Sequence, residues 1–86
     1  NAHKVITLQD GEWLVPGNQA LDEVDDLLDI TFDAEDAITL GGFLTEQLQH
    51  LPKKGERLTY KGYVFQIQKA TTRRILQVLI LKKPES

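Results

Sequence analysis

The sequence predicts a small α+β domain with elements in the order β-β-α-α-β-β-β, a mostly antiparallel sheet with two helices packed on one face. Three observations predict it. Residues 57–82 form strand-length runs rich in aromatic and aliphatic side chains, separated by turn residues. Residues 20–51 place leucines at helical spacing, and Asp10-Gly11 sits as a turn between two short β-prone runs. With 86 residues, 41% hydrophobic and 27% charged, the chain reads as one globular domain over 1–86. Asn1-Ala2 reads as a scar of tag cleavage, and 1–3 as a disordered terminus outside the fold.

Val5–Leu8 is the first strand, and Glu12–Val15 is its hairpin partner with Trp13 and Val15 on one face and Leu14 on the other. Pro16-Gly17-Asn18 ends the hairpin, glycine admitting positive φ there. An amphipathic helix follows over Ala20–Leu28. Leu21, Val24, Leu27 and Leu28 form its buried stripe, and Asp22, Asp25, Asp26 and Asp29 point outward. Ile30–Asp36 is a loop, with Ile30 and Phe32 turned inward.

A second helix starts at Thr39, whose hydroxyl can cap it, and runs through Leu51 to stop before Pro52. Gly41-Gly42 lie in its first turn, where missing side chains let another backbone come close. After the Lys53–Glu56 turn come three strands, Arg57–Tyr60, Tyr63–Ala70 and Arg74–Lys82. In the second of these Tyr63, Phe65 and Ile67 share the buried face. Ile75–Leu81 is apolar on both faces, which marks it as the central strand.

Catalysis finds little to work with. There is no cysteine, Ser86 is the only serine, His3 lies at the terminus, and His50 in the last helical turn is explained by the helix dipole. The acidic residues lie on a solvated helix face and a loop, not in a pocket that would separate their pKa values. The chain therefore reads as a non-enzyme. The longest apolar stretch, around Ile75–Leu81, is far short of the roughly 20 residues of a transmembrane helix. Nucleic-acid binding is disfavoured by a net charge of −3 and the lack of a binding motif.

Asp33, Glu35 and Asp36 are the candidate metal-binding residues. They crowd a loop with free carbonyls, enough for a weak surface site for a divalent cation but without an EF-hand pattern. The helix-one acids Asp22, Asp25, Asp26 and Asp29 are the next choice. Gly41-Gly42 could in principle cradle a phosphate, but no P-loop Lys or Ser/Thr follows, so backbone packing is the preferred reading. Charge is polarised along the chain: all acidic residues except Glu56 and Glu85 precede Lys53, and all basic residues except Lys4 follow from it. The preferred reading is attraction between the two halves across one fold, the other an interaction surface.

Taken in order, these residues resemble the CorC/HlyC transporter-associated domain. The stretches that carry the resemblance are Asp10-Gly11-Glu12-Trp13-Leu14-Val15-Pro16-Gly17, the acidic leucine-rich helix, Asp36 through Thr39-Leu40-Gly41-Gly42-Phe43 to Leu51-Pro52 and Gly55-Glu56, and Tyr63–Ile67 with the final strand. The resemblance covers about Asp10 to Lys82. It implies a cytoplasmic accessory domain at the C-terminal end of a membrane protein that carries paired CBS domains, or of certain sodium/proton antiporters. Its implied role is to modulate transport of magnesium, cobalt or another cation. The implied partners are the CBS domains and membrane region of the same parent protein, or a second copy in a homodimer, with no direct membrane insertion. The family fold resembles a subdomain of flavin-binding oxidoreductases, yet no flavin contact and no other cofactor carries over. The alternative is a sensor that itself binds a divalent cation or a nucleotide-like anion.

Overall fold

The computed structural model describes residues 4–84; the readings made for Asn1, Ala2 and His3 lie outside the described residues. The elements are β1 (Ile6–Gln9), β2 (Glu12–Pro16), α1 (Leu21–Leu28), α2 (Leu40–Leu48), β3 (Arg57–Tyr60), β4 (Tyr63–Ala70) and β5 (Ile75–Lys82), in the expected order. All sheet pairings are antiparallel and the strand order is β1-β2-β5-β4-β3, so the aliphatic β5 is the central strand.

The core lies on one face of this sheet. Across the strands Val15 pairs with Val78 and Val78 with Ile67, and in the next row Trp13 pairs with Ile80 and Ile80 with Phe65. Val15, Val78, Ile80, Phe65 and Ile67 are almost fully buried under Leu21, Val24 and Leu28 of α1 and Leu40, Phe43 and Leu44 of α2. Of the expected α1 stripe Leu21, Val24 and Leu28 are buried and Leu27 is half-buried, and in α2 Leu40, Phe43 and Leu44 are buried while Leu48 is half-buried. On the opposite face Leu14, Val64, Leu79 and Leu81 are half-buried, so the double-sided apolar pattern of β5 is covered by helices on one side only.

The loop between the helices is held by side chains, since its backbone has little regular structure to join. Phe32 anchors it at 8% exposure, stacked on Tyr60 with centroids 5.6 Å apart and edge-on to Phe43 at 4.8 Å. Rings meeting at such offsets contribute beyond their buried area.

The backbone junction between β2, α2 and β5 is tighter than the sequence reading foresaw. A Cβ on Gly17 would stand 2.1 Å from the Ile75 carbonyl oxygen, and one on Gly41 would stand 2.9 Å from the Gly17 oxygen. Gly17 thus serves close approach and not the positive φ expected of it; the positive-φ glycines are Gly11, Gly55 and Gly62. Around Gly42 a Cβ would meet only side-chain atoms and the Ala37 backbone, at 3.2 Å and beyond.

Helix α2 is shorter than expected. Gln49 adopts the left-handed conformation, φ 62°, and its amide closes on the Thr45 carbonyl, ending the helix before Leu51 and Pro52 are reached. His50 therefore lies beyond the helix instead of in its last turn.

Candidate functional site

The acidic loop and the groove beside the start of α2 hold the residues that sequence reasoning marked, and the structure arranges them differently from one another. In the loop, Asp33 is committed to protein partners. Its amide donates to the Tyr60 hydroxyl at 2.9 Å, that hydroxyl donates back to Asp33 Oδ2 at 3.3 Å, and Lys61 Nζ stands 3.2 Å from the same oxygen. The Asp33 carboxylate beside Lys61 raises the ammonium's pKa. Lys61 also donates to the Thr31 carbonyl and lies 5.4 Å from the Tyr60 ring centroid.

Glu35 and Asp36 are exposed, and it is their amides that are occupied. Together with the Ala37 amide they donate to the Glu46 carboxylate at 3.1, 2.9 and 2.7 Å. Consecutive amides converging on one carboxylate form a concave anion nest, here filled by the only charged residue of α2. The donation from Asp36, with those from Glu35 and Ala37, lowers the Glu46 pKa. Sequence reasoning missed Glu46, because no local spacing links it to amides about ten positions earlier.

Among the described residues no three His, Asp or Glu side chains converge on a point that could hold a metal ion. Asp33, Glu35 and Asp36 are near one another in the chain, but Asp33 faces Lys61 while the backbone of the other two wraps Glu46. Of the second set, Asp25 accepts from the Phe32 amide at 3.2 Å, and Asp22, Asp26 and Asp29 are exposed.

The amides at the start of α2 are all spent. Leu40 donates to the Gln19 carbonyl at 2.9 Å, Gly41 to Gly17 at 2.7 Å and Phe43 to Thr39 at 3.0 Å. Gly42 donates to the Thr39 hydroxyl at 3.1 Å, the expected cap. A phosphate would find no free donor there, which agrees with the packing reading of Gly41-Gly42.

Beside this turn lies an open groove of about 460 Å³ lined by Gly41, Gly42, Leu51, Arg73, Arg74 and Ile75 among others. A second of about 460 Å³ shares Leu51 with it and carries Lys53 and Lys54. Among the described residues none of these four cations makes an ion pair, and Lys61–Asp33 is the only ion pair between an acid of the first half and a base of the second. The polarised charge is thus largely left facing solvent instead of being paired across the fold. His50 lies between two acceptors: Nδ1 is 2.9 Å from the Leu48 carbonyl oxygen and Nε2 2.7 Å from a Glu56 carboxylate oxygen. The hydrogen bond to Glu56 raises the His50 pKa, and Glu56 is lowered first by the Lys53 amide and then by His50.

An antiparallel sheet with helices on one face, a pinned acidic loop and a groove rimmed by Arg73 and Arg74 define a small α+β module. The chain belongs to the CorC_HlyC family, described as the transporter associated domain, whose sequence model matches residues 6–84. It is 32% identical over 66 residues to the magnesium and cobalt efflux protein CorC of Salmonella typhimurium, covering 77% of this chain and 23% of that protein. It is 31% identical over 78 residues to the polyamine export protein of Haemophilus influenzae, covering 88% of this chain and 18% of that protein. The chain therefore spans less than a quarter of the length of either relative. The transporter associated domain from a Xylella fastidiosa Temecula1 hemolysin, solved in complex with Mg++ and Mn++, superimposes with a TM-score of 0.81 at 25% identity, over 93% of this chain and 98% of that one. No described helix is long and apolar enough to cross a membrane.

Proposed function

We propose that this chain is a non-catalytic cytoplasmic accessory domain that modulates cation export by a membrane protein of which it forms a part. It acts by docking on the CBS domains or membrane region of that parent. The observation that carries this reading is the family match over residues 6–84 to a domain that makes up less than a quarter of an efflux protein. The open side of the sheet and the unpaired cations supply surface for such contacts. The cargo is read as a cation because the relatives are named for magnesium and cobalt efflux and for polyamine export. The test is cation flux through the parent protein with and without this domain. A change in flux with unchanged amounts of protein in the membrane supports the role, and identical flux removes it.

A second reading is favoured by the relative solved with Mg++ and Mn++: the domain itself senses a divalent cation. In this chain the candidates are Asp33, Glu35 and Asp36, with Asp33 having to leave Lys61. Stabilisation by a ligand grows as RT ln(1 + [L]/Kd), so weak binding raises the melting temperature only at millimolar magnesium or calcium. Asp33→Asn with Asp36→Asn should abolish that rise. A response that survives the pair of substitutions moves the site elsewhere, to Asp22, Asp25, Asp26 and Asp29 first, and a response at micromolar cation would make sensing the leading role.

A further inference from the structure

Ile38 is 79% exposed, the most exposed large apolar side chain among the described residues. It does not sit on a loose segment. Its carbonyl accepts from the Leu21 amide at 3.0 Å, the next residue, Thr39, forms a β-bridge with Ala20, and the preceding amides are tied to Glu46. The result is a fixed apolar knob with two exposed carboxylates, Glu35 and Asp36, just before it in the chain. Neither carboxylate forms an ion pair among the described residues.

One residue further on, Thr39 lines the groove floored by Leu51 and Ile75 and rimmed by Arg73 and Arg74. Among the described residues no carboxylate lines this groove or its neighbour bearing Lys53 and Lys54. Glu56, in the same turn as Lys53, is already held by His50 and the Lys53 amide. An acidic knob and a basic apolar hole therefore lie side by side on one molecule. Such a surface is self-complementary: a two-fold axis between knob and hole fills both holes at once and closes the assembly at two copies. Preorganisation of the knob reduces the ordering cost of that contact.

We infer that Ile38 of one copy seats on Leu51 and Ile75 of a second copy, with Glu35 and Asp36 against its Arg73 and Arg74, in a reciprocal homodimer. The inference rests on the reading of the chain as an interaction module and names one of its partners. The contact is small and its charges lie at the rim, so the dimer is weak and salt-sensitive.

Sedimentation equilibrium of this chain from micromolar to millimolar concentration tests it, since the Xylella relative of matching extent was solved as an isolated domain. A monomer–dimer equilibrium is expected, weakened about tenfold or more by Ile38→Glu, by Arg73→Glu with Arg74→Glu, and by Glu35→Lys with Asp36→Lys. Mixing the two charge-reversed variants restores the dimer, because both halves of the reciprocal contact then pair opposite charges. Thermal melts check that each variant folds. A monomer at every concentration overturns the inference, as does a dimer indifferent to these substitutions or one that fails to re-form on mixing. If the chain stays monomeric while Arg73→Glu with Arg74→Glu weakens its binding to the rest of the parent protein, the groove serves the parent: self-pairing fails and the accessory role stands.

Discussion

The amide of Gly41 donates to the carbonyl of Gly17 across 2.7 Å, joining the first turn of α2 to the end of β2. The Gly17 amide in turn donates to the Leu76 carbonyl at 3.0 Å, so a helix, an inner strand and the central strand meet through backbone alone. Side chains are excluded there by geometry. The groove and the knob are both built on this junction, which fixes their relative position.

Substitution should follow the distances. Gly17→Ala drives a Cβ against backbone that cannot yield, and a loss of about 3 kcal/mol or more is expected. Gly41→Ala, with 2.9 Å to the Gly17 oxygen, should cost about 1–3 kcal/mol, and Gly42→Ala less than either. Urea unfolding of the three variants measures the order, and Gly42→Ala as the most damaging would refute it.

Glu46 should contribute to the acid limb of stability. Its carboxyl pKa is held below the ordinary 4.5 by the loop amides, Asp36 foremost. A depressed folded value means the contribution is fully present above pH 4.5 and is lost as the pH falls through that lower value. Glu46→Gln should therefore be less stable than the parent chain at neutral pH, with the difference shrinking on acidification. A difference that stays constant from neutral to acid pH would contradict this. Amide hydrogen exchange of residues 35–37 should also speed up in the variant.

His50 acts with the opposite sign. Its pKa is raised above 6.5 by the hydrogen bond to Glu56, so its stabilising contribution is fully present below 6.5 and is lost as the pH rises through the folded value. NMR titration should find a raised His50 pKa that returns toward 6.5 in Glu56→Gln. An unchanged titration in that variant would place the cause elsewhere. Both groups lie in solvent, so the effect on stability is small.

Much of the fold was legible because it depends on local pattern. Tyr63, Phe65 and Ile67 alternate as a one-sided strand must, β5 is apolar on both faces because it sits in the middle, and Thr39 precedes its helix as a cap residue should. Other features depend on contacts between distant residues. Gly17 looks like a turn glycine until Ile75 is placed against it, and Glu46 looks like a solvated helix charge until the loop amides wrap it. The end of α2 is not legible in the pattern, because apolar spacing continues to Leu51 after the left-handed Gln49 has already closed the helix. The acidic triplet was visible as composition, but which way each carboxylate faces is decided by Tyr60, Lys61 and Glu46, residues far away in sequence.

The most direct test of the accessory role uses the parent protein lacking this domain and the 86-residue chain supplied in trans. Calorimetric titration of one into the other, followed by cation flux at saturation, measures docking and its consequence together. The account predicts saturable binding, and flux restored toward that of the intact protein. No heat of binding and no change in flux at millimolar chain would contradict it.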